Sequence, residues 1–396
     1  MALATVTAPR AASDITPDAL RQHFQLDPGI IFLNHGSFGA TPVPVFEVYQ
    51  AWQRELEREP VAFVGRRQEA LLDAARGRIA AYLNADPETL SFVVNATSGL
   101  NVVARSLPLQ PGDEVLTTNL EYGALDLTWE HLCAKAGARY IHQEIPLPVT
   151  SKEEIVDALW AGVTERTRTI FLSHITSGTA LTLPVAEICA RAREAGILTI
   201  IDGAHAPGQL DLDMAAIGAD VYAGNFHKWL CTPKGSAFLY VRSEHHAWTE
   251  SLTISWGWRS GHTFVTRNQQ QATRDVSAFL AVGRGIDFQR QHRWHLVRER
   301  CFEMLRDLRR QLHEQWNTTA ICPDTPEWYL QLAAITLSDR APADLQDRLF
   351  HEHGIEVPIT GHGSQRFVRV SVQGYTSSAD LDALHAALDA EIPTGA

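Results

Sequence analysis

Residues 198–229 read LTIIDGAHAPGQLDLDMAAIGADVYAGNFHKW. Two short apolar runs stand out, Leu198–Asp202 and Asp220–Ala223. The first gives way to Asp202-Gly203-Ala204-His205, and the second to Gly224-Asn225-Phe226-His227-Lys228-Trp229. Similar runs recur on either side, at Leu90–Val94, Glu114–Thr117, Thr169–Ser173 and Ala237–Val241. Stretches with helical spacing lie between several of them: Leu125–Ala136, Lys152–Ala161 and Val185–Ala195. Strands that alternate with helices predict an α/β fold with a mostly parallel sheet covered on both faces. Such sheets bind ligands beyond the carboxyl ends of their strands, so the chemistry should follow each apolar run.

The pattern changes after about residue 290. Trp294–Glu314 is a long, charged amphipathic helix pattern, followed by strand-like runs Leu332–Leu337 and Phe367–Val372 and a terminal helix, Ser378–Ala390. This predicts a smaller C-terminal α+β domain over 291–396, beside a large domain over 30–290. Residues 1–29 read as a flexible tail and the start of an N-terminal segment. That segment, up to about Gly39, is expected to pack near the small domain or over the site.

Composition removes several function classes. Among 396 residues, Lys plus Arg is 34 and Asp plus Glu is 46, so the net charge is −12. That charge argues against a nucleic-acid binder that relies on broad phosphate attraction. No stretch approaches the roughly 18 uncharged apolar residues of a membrane span. Met1–Ser13 is rich in Ala and Thr and lacks the apolar core of a secretory signal. The cysteines at 133, 189, 231, 301 and 322 are scattered and include no CxxC pair, which points to a reducing cytoplasm rather than a disulfide framework or structural zinc. The His351-Glu352-His353 triplet and the His245-His246 pair read as solvated surface, because neighbouring helical residues diverge; no metal is expected. The Trp pair in Ser255-Trp256-Gly257-Trp258 fits core packing and a substrate-pocket lining equally well.

The strand ends carry the chemistry. After Leu90–Val94 comes Asn95-Ala96-Thr97-Ser98-Gly99, a small hydroxyl-rich helix start whose free N–H groups and dipole favour an anion. Glu121-Tyr122 offers an aromatic that could stack on a flat ligand. His174-Ile175-Thr176-Ser177-Gly178-Thr179 is a hydroxyl loop. Asp202 ends a buried run, where a carboxylate is costly unless it meets a cation such as a ring nitrogen. Lys228, between an imidazole and an aromatic, is well placed for a depressed pKa and Schiff-base chemistry. In order, these supply a phosphate cradle, a ring stacker, a hydroxyl partner, a pyridinium partner and an aldehyde-bearing lysine. That is what pyridoxal 5′-phosphate (PLP) requires.

The same segments resemble the class V aminotransferase family of fold-type I PLP enzymes. The branch they are most similar to is that of isopenicillin N epimerase and hercynylcysteine sulfoxide lyase. The resemblance is carried by Leu33-Asn34-His35-Gly36-Ser37-Phe38-Gly39, Ser173-His174, Asp202-Gly203-Ala204-His205-Ala206-Pro207-Gly208, His227-Lys228-Trp229 and Arg369-Val370-Ser371, and it spans residues 30–390. It implies that Lys228 carries PLP and moves the Cα proton, Asp202 keeps the pyridine nitrogen protonated, and Tyr122 stacks on the ring. It further implies that His205 sits near the ring or its O3′, that Thr97, Ser98 and His227 hold the phosphate, and that Ser177 partners O3′. By the same resemblance, Asn34, His35 and Arg369 bind substrate, Arg369 gripping the α-carboxylate. Thr273 reaches the phosphate of the neighbouring subunit in a homodimer. Two departures stand out: Asn225 where a Ser or Thr phosphate ligand is usual, and Ala272 where a Gly is usual before Thr273.

The expected substrate is a small amino acid, and the expected reaction is C–S β-elimination on a cysteine conjugate. Epimerisation of the kind catalysed by isopenicillin N epimerase is the alternative, with transamination or an inactive scaffold behind it. Persulfide-forming desulfuration is disfavoured, since Glu356–Arg366 contains no cysteine. Epimerisation needs a second acid on the face opposite Lys228, with Tyr122, His35 and His174 as candidates.

Overall fold

In a computed structural model that describes residues 15–259 and 261–393, seven strands build the principal sheet. Their order is Leu90–Val93, Ala237–Val241, Val221–Asn225, Leu198–Asp202, Thr167–Ser173, Glu114–Thr118 and Arg139–Gln143. Met1–Ser13, read above as a tail, lies outside the described residues. Side chains alternate between the two faces: Leu116, Ile170, Leu172 and Ile201 pack into one apolar cluster, and Val115, Phe171 and Ile200 into another. Two buried faces explain why these strands read as continuous apolar runs. Arg139–Gln143 was not legible as a strand, because it is an edge strand whose residues are half-buried or exposed.

All neighbours in this sheet are parallel except Ala237–Val241, which runs antiparallel to both strands beside it. The cause is the connection Phe226–Ser236, which holds no crossover helix. A parallel return needs a crossover of about a dozen residues or more, usually a helix. Here the chain folds straight back, with Phe226 N–H donating to Ser236 O at 3.0 Å. Lys228 therefore sits in a helix-free connection at the carboxyl end of its strand.

Helices Ala96–Ser106, Gly123–Ala136, Lys152–Trp160 and Val185–Glu194 follow their strands. Ser151 and Glu154 close a capping box at the start of the third, while Ile155 and Leu159 bury its apolar stripe. Val43–Arg58 and Gln68–Leu83 pack against Ser277–Leu280 and Val282–Gln291. A three-stranded antiparallel sheet, Ile359–His362, Gln365–Ser371 and Leu332–Thr336, forms a second layer with helices Trp294–Trp316 and Ser378–Glu391. Ile31–Phe32 pairs in parallel with Ile355–Glu356, which ties the N-terminal segment to this second layer. No helix among the described residues is long and apolar enough to cross a membrane.

Candidate active site

Five strands of the principal sheet end around one cavity of about 450 Å³. Asn95 and Thr97 follow the first, Tyr122 the next, and Ser173, Ile175 and Ser177 the third. Asp202, Ala204 and His205 follow the fourth, and Asn225, His227 and Lys228 the fifth. Arg369 enters from the three-stranded sheet, and Ser37 and Phe38 from the N-terminal segment.

Lys228 lies at the floor, with Nζ 3.0 Å from His205 Nε2. Burial and the nearby Arg369 cation pull its ammonium well below the usual lysine range, with Asp202 opposing. His205 is buried and held neutral by burial and the neighbouring cations. Its Nδ1 faces the indole N–H of Trp229 at 3.3 Å. An indole can only donate, so Nδ1 accepts and Nε2 carries the proton. That Nε2–H then meets Lys228 as a neutral amine, the form that attacks an aldehyde. Asp202 is buried; desolvation raises its pKa, while the Ala204 N–H at 2.9 Å and Lys228 hold it down.

The helix Ala96–Ser106 points its N-terminus at the cavity. Asn95 Oδ1 accepts from Ser98 N–H at 2.7 Å, and Asn225 Oδ1 accepts from Ala96 N–H at 2.8 Å. Asn225 thus caps the helix with its carbonyl half, which leaves its amide half a donor. His227 Nδ1 donates to Ser236 O at 3.1 Å. Burial and the nearby lysines lower its pKa to about 4. Its Nε2 can donate to an anion only as the imidazolium, which a dianion alongside would favour.

Arg369 is buried, and desolvation lowers its pKa to about 10. Nη1 donates to Ser177 O at 2.6 Å and Nη2 to Ser37 Oγ at 2.9 Å, while Nε has no protein partner. Among the described residues no carboxylate pairs with it. A buried, uncompensated cation is costly, and an incoming carboxylate would relieve that cost.

Not every expected residue reaches the cavity. Ser98 lines an adjoining groove with Asn101, Arg105 and Leu252, because consecutive helical residues point in different directions. Asn34 and His35, expected to touch substrate, do not line the cavity. Asn34 bonds Glu356 and Ser37. His35 is fully buried between Tyr375 Oη and Lys228 O, at 2.9 and 3.0 Å. Ser177 lines the cavity, but its oxygens face Arg369. Thr273 is exposed and away from its own chain's cavity, in a bend after Ala272. Ala272 has φ 74°, which explains why glycine is usual there. Trp256 is exposed beside Arg259, and Trp258 donates to Ser251 Oγ; neither lines the cavity.

Sequence reasoning passed over Glu121. Its carboxyl accepts from Ser173 N–H at 2.8 Å, Ser173 Oγ at 2.6 Å and Thr118 Oγ1 at 2.5 Å. Burial raises its pKa to about 8 against these bonds, and the Asp202 charge adds to the rise. Its place beside Tyr122 at a strand end was the available signal.

The aminotransferase class V profile matches residues 43–384. The chain belongs to that family. Isopenicillin N epimerase of Amycolatopsis lactamdurans is 35% identical, over 93% of this chain and 96% of its own. Putative L-cysteine desulfhydrase 1 of Oryza sativa subsp. japonica is 28% identical, over 98% and 89%. Among solved structures, a cystine C–S lyase in complex with cysteine persulfide superposes with a TM-score of 0.78 at 21% identity, over 92% and 99%. That last likeness bears on the fold alone. The chain is a PLP-dependent enzyme that acts at Cα of an amino-acid substrate, within the group of C–S lyases and related epimerases.

The cavity fits that cofactor. The helix start at Thr97 faces one end, and a buried carboxylate and a lysine whose charge is disfavoured stand at the floor. Thr97, Asn225 and His227 would hold the phosphate, Asp202 the ring nitrogen and Lys228 the aldehyde carbon.

Proposed function

We propose that this enzyme is a C–S β-lyase that cleaves an S-substituted L-cysteine to a thiol, pyruvate and ammonia. The observation that carries the choice is the fate of the candidate second acids. His35 and His174 are buried behind the cavity wall, and burial lowers both to about pKa 3. His174 Nδ1 is taken by Tyr222 Oη at 2.8 Å. Neither can protonate Cα from the face opposite Lys228. Elimination needs no such acid.

Bound PLP supplies the electron sink that stabilises negative charge at Cα. Lys228 Nζ takes the Cα proton, and Asp202 would hold the ring N–H of bound PLP. Tyr122 would stack on the ring and, with Phe38 and Val94, limits water at the mouth. The C–S bond breaks with its electron pair leaving on sulfur. The sulfur departs with the small molecule, since all five cysteines are buried, and none lines the cavity. Burial pushes every one of their thiols upward. Those free thiols support a cytoplasmic setting.

Epimerisation is the second reading, favoured by Tyr122 at the mouth and by the 35% identical relative. Turnover in deuterated water separates the two. S-Methyl-L-cysteine should give pyruvate and methanethiol, and L-alanine should accumulate no D-alanine. Deuterated D-alanine without pyruvate from either substrate rejects the lyase.

Arg369 reads the α-carboxylate through its fork. Arg369→Lys keeps the charge but loses the fork. A loss of about one to two decades in kcat/KM is expected, at normal PLP content. An unchanged kcat/KM assigns the carboxylate elsewhere.

The enzyme works as a homodimer in which Thr273 of each subunit meets the other's phosphate. Support comes from the exposed Thr273 bend and from the exposed side chains of Leu252, Ile254 and Trp256 on the loop beside the cavity. Sedimentation should give a dimer, and Thr273→Ala should weaken PLP binding. A fully active monomer overturns the shared site.

A further inference from the structure

Arg369 is held by a chain of side chains that starts at the cavity, which Arg369 and Ser37 line, and runs back to Glu356. Its Nη2 donates to Ser37 Oγ at 2.9 Å, and Ser37 Oγ–H donates to Asn34 Oδ1 at 2.5 Å. Asn34 Nδ2 then donates to Glu356 Oε1 at 2.9 Å. The direction is forced. A guanidinium only donates, so Ser37 accepts from it and gives its single proton to Asn34. The carbonyl half of Asn34 is thereby occupied, and its amide half faces the Glu356 carboxylate.

Backbone bonds lock both ends of this chain. Leu33 N–H donates to Glu356 O at 3.0 Å, and Ser371 N–H to Leu33 O at 2.9 Å. Gly36 N–H donates to Ser371 Oγ at 3.0 Å, two residues along the strand from Arg369. On the other side Gly39, at φ 68°, lies so close to the lysine connection that an added Cβ would stand 2.1 Å from His227 O. The turn 33–39 therefore spans from the strand of Arg369 to the backbone of Lys228.

We propose that Asn34 and Ser37 are positioning residues for Arg369, and that the chain Glu356–Asn34–Ser37–Arg369 sets the enzyme's preference for substrates with a free α-carboxylate. Ser37 Oγ and Ser177 O each engage one terminal nitrogen of the guanidinium. That fixes its plane and leaves Nη2 a second N–H to offer the substrate. The inference rests on the reading of Arg369 as the carboxylate grip.

The test compares how tightly the holoenzyme binds L-alanine and L-alaninamide, followed by the visible absorbance of the cofactor. The wild-type enzyme should favour the carboxylate. Ser37→Ala and Asn34→Asp should each reduce that preference about tenfold. Asn34→Asp sets two carboxylates against each other, so adding Glu356→Gln should restore it. The glutamine amide then donates to the aspartate, whose other oxygen still accepts from Ser37. Thermal melts check that the variants fold; if Ser37→Ala does not, the Asn34→Asp pair decides alone. A wild-type preference near one removes the Arg369 reading and this inference with it. A strong wild-type preference that Ser37→Ala and Asn34→Asp leave intact overturns the positioning role alone. So does a double variant no better than Asn34→Asp.

Discussion

Lys228→Ala is expected to lower kcat/KM by roughly 10⁴-fold or more, because one substitution removes both the covalent attachment and the Cα base. Borohydride reduction of the wild-type enzyme followed by peptide mapping should place the pyridoxyl label on Lys228; a label on another lysine sinks the assignment. The loss should not come from unfolding. Burial and Arg369 disfavour the Lys228 charge, so removing it should leave the apo-protein at least as stable. The sign of the pH dependence follows. The folded pKa lies below the unfolded value of about 10.4. Between the two, the unfolded chain binds more protons, so Lys228 makes stability rise with pH in that window. Urea midpoints measured across it should rise less steeply in Lys228→Ala. Reaction of the apo-protein with PLP should likewise speed up with pH around a midpoint well below 10.4, since the neutral amine is the nucleophile.

Asp202→Asn is expected to cost about 10³-fold in kcat, since a neutral amide cannot hold the ring nitrogen protonated in a site this buried. The fold should tolerate it, because the amide oxygen can still accept the Ala204 N–H that Asp202 accepts at 2.9 Å. A cofactor analogue methylated at the ring nitrogen carries the positive charge permanently, and it should recover part of the lost rate in the variant. A wild-type rate in Asp202→Asn with normal PLP content would remove the residue from the reaction.

The sequence by itself determined the sheet and its loaded strand ends. Leu198–Asp202 and Ala237–Val241 form with the bounds their apolar runs indicate, because a strand buried on both faces leaves an unbroken local signal. Asp202, Lys228 and Thr97 were legible for the same reason: each follows its strand within a few residues, and strand ends in this architecture face the ligand. Tertiary structure alone decided what stands behind them. Arg369 meets Ser177 and Ser37 across 192 and 332 positions of chain, and no local window records that meeting. His35 and Asn34 belong to the most recognisable N-terminal motif, yet they pack against Tyr375 and Glu356, outside the cavity. A motif names residue types, whereas the side on which each side chain falls depends on distant partners. Asn225 shows the same limit. Its carbonyl caps Ala96 across 129 positions, a bond set by how the helix docks on the sheet and not by the residues beside it.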